Sequence, residues 1–148
     1  MPQTYRVAKY SLSYVREGSY SVPRDAISRR DDVVGIARHI YGAIPVEYVA
    51  VVALDNANRV VGISAVEGAV NQCAIYPQNV FRFLLTTGVA SFVLVHNHPG
   101  GNLTPSGADW TIAERLRNLG KDLELPLLDH IIVTEESAVS LRDLPRWK

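Results

Sequence analysis

The chain has 148 residues, 47% of them hydrophobic, with 15 Lys/Arg balanced by 15 Asp/Glu and one cysteine. That length and apolar content suit a single domain with a real core, while zero net charge supplies no overall field for nucleic acid. A lone Cys73 excludes an intramolecular disulfide, and the lack of a secretory h-region or a membrane-length apolar run reads as a cytoplasmic protein with no membrane role.

Residues 4–16, TYRVAKYSLSYVR, alternate between apolar and polar, which predicts a half-buried strand leading to a turn at Glu17-Gly18-Ser19 and serving as a sheet edge or an oligomer contact. The first 38 residues hold seven Lys/Arg against four Asp/Glu, a mild skew that reads as a solvated face. From Ser28 to Tyr41 the spacing of Val33, Val34, Ile36, Ala37 and Ile40 predicts a helix, capped by Ser28 or an Asp and stopped at Gly42. His39 on that helix is read as a surface or structural histidine.

Val46 to Leu54 and Arg59 to Val66 flank the turn-rich Asp55-Asn56-Ala57-Asn58, the signature of a β-hairpin. Glu47 opens the first of these strands, whose following residues are nearly all apolar and belong at the sheet centre. By position alone its carboxylate turns to solvent. Glu67, at the far end of the hairpin beside Gly68, reads as a turn carboxylate. Cys73 has no base near it and reads as a small, partly buried residue. Pro77 suits the first turn of a helix that runs through Val80, Phe81, Leu84 and Leu85 to Gly88.

The chain's most informative stretch follows. The apolar run from Phe92 to Val95 leads into His96 and His98, two residues apart, so on a strand both imidazoles leave one face. Pro99, Gly100 and Gly101 end the strand and turn the chain. Ser106 through Asp109 then reads as the first turn of a helix, which brings a carboxylate back towards the histidines. Ser106-x-x-Asp109 equally fits a helix capping box, and the two readings are compatible: a capping serine fixes the helix start while Asp109 faces a metal. Two neutral nitrogens and one carboxylate suit zinc, with a fourth position left for water.

The helix from Ser106 to Leu119 is expected to close at Gly120, followed by a strand from Leu127 to Thr134 and a short one from Val139 to Leu141. Asp129 and His130 point to opposite faces, and His130 is read as structural or as orienting a ligand. Pro145 to Lys148 carries no signal. The order β-α-β-β-α-β-α-β-β describes helices packed against a mixed sheet.

His96-x-His98-Pro99 followed by Ser106-x-x-Asp109 resembles the JAMM motif of the JAB/MPN metalloprotease superfamily. The surrounding HNHPGGNLTPSGAD and LLDHIIVT resemble its bacterial RadC branch, often labelled a DNA repair protein. The similarity runs from about Asp25 to Leu141 and divides the chain into an N-terminal strand segment, 1–24, and a RadC-like domain, 25–148. Gly100 stands where the branch usually has serine, and the chain has no room for the helix-hairpin-helix module of longer RadC proteins. The resemblance implies an α+β, three-layer fold with a mixed sheet flanked by helices, of the cytidine deaminase-like type. It further implies zinc on His96, His98 and Asp109, Glu47 as general acid/base, Ser106 assisting the oxyanion, and hydrolysis of an amide or isopeptide bond in a peptide or protein substrate. Two alternatives stand beside it. A role on or near DNA, as nuclease or accessory, is opposed by the neutral charge and the absence of interleaved basic and aromatic residues; a non-catalytic MPN scaffold is opposed by the complete ligand set.

Overall fold

The computed structural model describes residues 6–11, 15–22, 27–67 and 75–148. Its elements in chain order are α1 (Arg30–Tyr41), β1 (Tyr48–Leu54), β2 (Val60–Glu67), α2 (Pro77–Thr87), β3 (Ser91–Asn97), α3 (Gly107–Asp122), β4 (Leu127–Val133) and β5 (Ala138–Ser140), with short 3-10 turns at Leu141–Asp143 and Pro145–Trp147. The strands form one sheet in the order β2-β1-β3-β4-β5. Among the described strands the β3–β4 pair alone is parallel, which requires the α3 crossover between them.

Alternation along β1 and β3 sends side chains to two cores. Val49, Val51, Phe92 and Leu94 pack with Val80, Phe81 and Leu84 of α2 and Trp110, Ala113 and Leu116 of α3. Ala50, Val52, Val93 and Val95 pack with Val33, Ala37 and Tyr41 of α1 on the opposite face. The result is the three-layer α+β arrangement that the family resemblance implies. With both faces covered, β1 and β3 are buried along almost their whole length, which explains why they read as continuous apolar runs.

Local chemistry sets the boundaries. The Asp32 carboxylate accepts from the Ser28 and Arg29 amides, so an acid in the first turn, and not the Ser28 hydroxyl, caps α1. Pro77 starts α2, and Gly88 ends it at φ 65. In the hairpin turn, Asp55 Oδ1 accepts from the Ala57 and Arg59 amides and Asn58 takes φ 56, conformations these side chains support.

Three expectations need correction. The stretch 4–16 was expected to be a half-buried strand, but its described residues, 6–11 and 15–16, carry no strand, and Val7, Tyr10 and Val15 are more than four-fifths exposed. Alternation alone makes no strand without a neighbouring backbone to bond. Gly120 does not end α3, which continues to Asp122; a Cβ there would lie 2.3 Å from the Leu125 carbonyl oxygen, so the glycine admits the returning chain. The C-terminal residues, silent in sequence, seat Trp147 against α3, where the Arg117 guanidinium lies 4.3 Å over its ring and donates to its carbonyl. Cys73 and Gly68 lie outside the described residues. No helix among the described residues is long and apolar enough to cross a membrane.

Candidate metal centre

The end of β3 places the central residues. Leu94 and His96 share the face turned to α3, and His96 is buried. His98 stands one residue beyond the strand, but its amide still donates to the Val133 carbonyl at 2.9 Å, so the extended geometry carries through it. The two imidazoles are consequently adjacent, with ring centroids 4.5 Å apart and planes nearly perpendicular. Pro99 and the glycines follow at once, with Gly101 at φ 81, and turn the chain into the approach to α3.

The start of α3 delivers the carboxylate. Ser106 Oγ accepts from the Asp109 amide at 3.1 Å, and Asp109 Oδ2 accepts from the Ser106 amide at 2.7 Å, a reciprocal capping box. The same carboxylate meets both histidines: Oδ1 is 3.0 Å from His96 Nδ1, and Oδ2 is 3.6 Å from His98 Nε2. The capping reading of Ser106-x-x-Asp109 holds, and the capping side chain is the one that meets the imidazoles. The cap fixes the rotamer that faces the imidazoles.

The electrostatics follow from this packing. Burial acts to raise the Asp109 pKa, but it is outweighed by the hydrogen bonds from His96, His98 and the Ser106 amide, which hold the carboxyl well below its ordinary range. His98 is raised, first by its contact with Asp109, against the effect of burial and with help from the Asn102 carbonyl and the charge of Glu47. His98 Nδ1 lies 2.5 Å from the Asn102 carbonyl oxygen, which can only accept. That bond assigns a proton to Nδ1 and leaves Nε2 as the atom turned to Asp109, a donor to the carboxylate when the ring is protonated and a metal ligand when it is neutral.

Neighbouring donors on tetrahedral zinc, with bonds of about 2.0–2.2 Å, lie about 3.3–3.6 Å apart. The two separations at Asp109 fall at or just below this range, and His96 Nε2 is buried without a hydrogen-bond partner among the described residues. Nitrogen and carboxylate donors of this kind suit a divalent metal ion, but the two separations end on different oxygens of Asp109, so His96, His98 and Asp109 do not converge on one point through a single carboxylate oxygen.

His130, which the sequence left as a structural or orienting residue, enters from β4 opposite Leu94. It is fully buried and lies nearly parallel to His96, with centroids 6.3 Å apart, and neither ring nitrogen makes a well-formed hydrogen bond among the described residues. Burial pushes its pKa down to about 3, keeping it neutral. Among the described residues, His96, Asp109 and His130 are the group whose ligating atoms all lie within 4.8 Å of one another. Two candidate sets therefore share His96 and Asp109, one completed by His98 near the surface and one by His130 beneath. Asp129 points elsewhere, accepting from the Ser140 hydroxyl at 2.6 Å and from the Arg142 amide.

Glu47 lies immediately before β1 and is half-buried. Val49 pairs with His96 across the β1–β3 ladder, so the antiparallel register brings Glu47, two residues earlier, alongside His98. The charge of Glu47 registers at His98 accordingly. Glu67 pairs with Tyr48 at the same open end of the hairpin, one position out of phase with Val49 and His96. His39 is remote in kind: it sits in the last turn of α1, on the opposite layer.

Comparison with known proteins shows the family. A family model described as the RadC-like JAB domain matches residues 27–146. A UPF0758 protein of Finegoldia magna is 36% identical over 113 residues, covering 76% of this chain and 51% of the relative. A UPF0758 protein of Desulfitobacterium hafniense is 30% identical over 138 residues, covering 91% of this chain and 61% of the relative. The chain spans about half the length of the first curated relatives it matches. With the family model covering all of α1 through β5, and both histidines and the capping aspartate in place, the chain belongs to the RadC-like JAB domain family.

Proposed function

We propose that the chain is a zinc-dependent hydrolase that cleaves an amide or isopeptide bond in a peptide or protein. The observation that carries this reading is the single Asp109 carboxylate, fixed by the α3 cap and meeting His96 and His98, with the charge of Glu47 felt at the same imidazole. His96, His98 and Asp109 would hold the ion. When bound, zinc supplies a Lewis acid that brings water's pKa towards neutrality and polarises a carbonyl.

The chain's own groups do the rest. Glu47, half-buried beside His98, takes a proton from the attacking water and later delivers it to the leaving amine. The Asp109 amide occupies a lone pair of Ser106 Oγ, which leaves the Ser106 O–H to donate to an oxyanion. His98 is preferred to His130 as the third ligand because it is partly open to solvent and its tautomer is set by Asn102. A catalytic ion needs an open position, which fully buried His130 does not provide. His130 then backs the His96 ring from below.

Metal content measured on purified variants tests the ligand set. One zinc per chain is expected in the wild type and in His130→Leu, with loss in His98→Ala and Asp109→Ala. Loss in His130→Leu with retention in His98→Ala would move the ion to the inner set. On a substrate the wild type cleaves, Glu47→Gln is expected to keep zinc and lose roughly a hundredfold or more in turnover, the lower end for general acid/base catalysis. Glu67→Gln should keep both. Full activity in Glu47→Gln together with loss in Glu67→Gln would assign proton transfer to the other carboxylate.

A further inference from the structure

Between the two histidines stands a residue whose side chain takes the other face of β3. Asn97 is 1% exposed, and its amide is committed to the loop that connects α1 to β1. Oδ1 accepts from the Tyr48 amide at 2.5 Å. Nδ2 lies 2.9 Å from the Val46 carbonyl oxygen, 3.2 Å from that of Ile44 and 3.3 Å from that of Tyr41, so its two hydrogens are shared among three acceptors. Only one orientation of the amide satisfies this set, since the flipped one would face its oxygen to three carbonyls and its hydrogens to an N–H.

The bonds bracket Glu47. Val46 and Tyr48, on either side of it, are both held by Asn97, whereas Pro45 and Val46 are themselves exposed. Asn97 is covalently continuous with His96 and His98, so one strand end projects the imidazoles to the α3 face and, on the α1 face, holds the backbone that carries the carboxylate. A valine or leucine at 97 would continue the apolar run without bonding that loop.

We infer that Asn97 is a positioning residue: by fastening the Tyr41–Tyr48 loop to the strand that carries His96 and His98, it sets where the Glu47 carboxylate stands relative to the metal ligands. The role of Glu47 in this statement rests on the hydrolase reading; the clamp itself does not. It acts by geometry and exchanges no proton. A displacement of about 1 Å in a reacting group can lower turnover roughly a hundredfold, which sets the size of the expected effect.

The test is Asn97→Ala in the full chain, with Asn97→Ser beside it, because serine keeps an acceptor and one donor should the alanine variant fail to fold. Three readouts are taken: hydrogen exchange of the amides in 42–48, zinc content, and turnover with and without Glu47→Gln. The expected result is at least roughly tenfold faster exchange in 42–48, with β3 and β4 protection and zinc content unchanged. Turnover should fall towards the level of Glu47→Gln, and the double variant should be no slower than Glu47→Gln alone, since two changes acting through one group are not additive. Unchanged exchange in 42–48 overturns the clamp. A double variant slowed by the full product of the single effects, or zinc loss in the single variants, overturns action through Glu47. If the wild type cleaves no peptide substrate, the hydrolase reading fails and the exchange measurement alone decides whether Asn97 holds the loop.

Discussion

Asp109 divides its two oxygens, giving Oδ1 to the His96 ring and Oδ2 to the Ser106 amide and the approach of His98. Its charge is stabilised in the fold, whereas at His130, on the neighbouring strand β4, it is the neutral form that burial favours. These opposite responses give a pH dependence that can be worked out for the metal-free protein. His130 titrates near 6.5 when unfolded and at about 3 when folded, so between those values the unfolded chain binds more protons. Its contribution is complete above pH 6.5 and is lost as pH falls, at up to about 1.4 kcal/mol per pH unit. Asp109, with its depressed pKa, acts in the same sense below the ordinary carboxylate range. His98, raised in the fold, acts in the opposite sense and loses its contribution as pH rises above its unfolded value. Urea unfolding of chelated protein at pH 7, 6 and 5 should therefore show a falling midpoint, and the fall should be shallower in His130→Leu. A slope unchanged by that substitution would mean that His130 does not titrate with unfolding.

At the level of elements, α3 carries the strongest coupling between local folding and the site. Ser106→Ala removes the acceptor of the Asp109 amide and should cost about 0.5–2 kcal/mol of stability, as for other lost N-caps. Because the cap also holds the Asp109 carboxylate, zinc affinity should fall together with stability; Ser106→Thr should restore both. A variant with weaker catalysis but unchanged stability and zinc affinity would leave the hydroxyl with an oxyanion role alone. At the other end, Gly120→Ala should destabilise the fold by about 1–3 kcal/mol through the Leu125 clash, against the gain of about 1 that helix propensity offers. These two positions also show where the sequence was informative. Ser106-x-x-Asp109 is a local pattern and was legible as a cap whose carboxylate turns back to the histidines. Gly120 was misread because its reason is a partner five residues away in a returning chain, invisible to a rule about helix ends. Asn97 was missed for the same cause: its side-chain partners lie 49 to 56 positions earlier, and nothing in HNH distinguishes an exposed asparagine from a buried clamp.

On the scale of the molecule, helices packed on a mixed sheet were legible because buried central strands, a hairpin turn and capped helices are each written locally, while the three-layer arrangement came from the family resemblance. The N-terminal stretch was not, since alternation predicts a strand only where a partner edge exists. The same distinction between composition and placement bears on nucleic acid. The chain holds 15 basic and 15 acidic residues, and several arginines are committed within the fold: Arg30 pairs with Asp143, Arg38 donates to the Glu135 carbonyl, Arg117 covers Trp147, and Arg146 bonds Glu114 beside Trp110. Cations spent in this way neutralise few phosphates, and affinity for DNA scales steeply with the number neutralised. Binding to duplex or single-stranded DNA should accordingly be weak and strongly dependent on salt, with a dissociation constant above micromolar at about 150 mM, where charges are screened beyond about 8 Å. The measurement is a titration of labelled DNA at that salt and at a lower one, the slope giving the number of phosphates engaged. Sub-micromolar affinity at the higher salt would reverse the ranking of substrates and favour action on or near DNA, with the basic residues of the first 38 positions as the surface to substitute next.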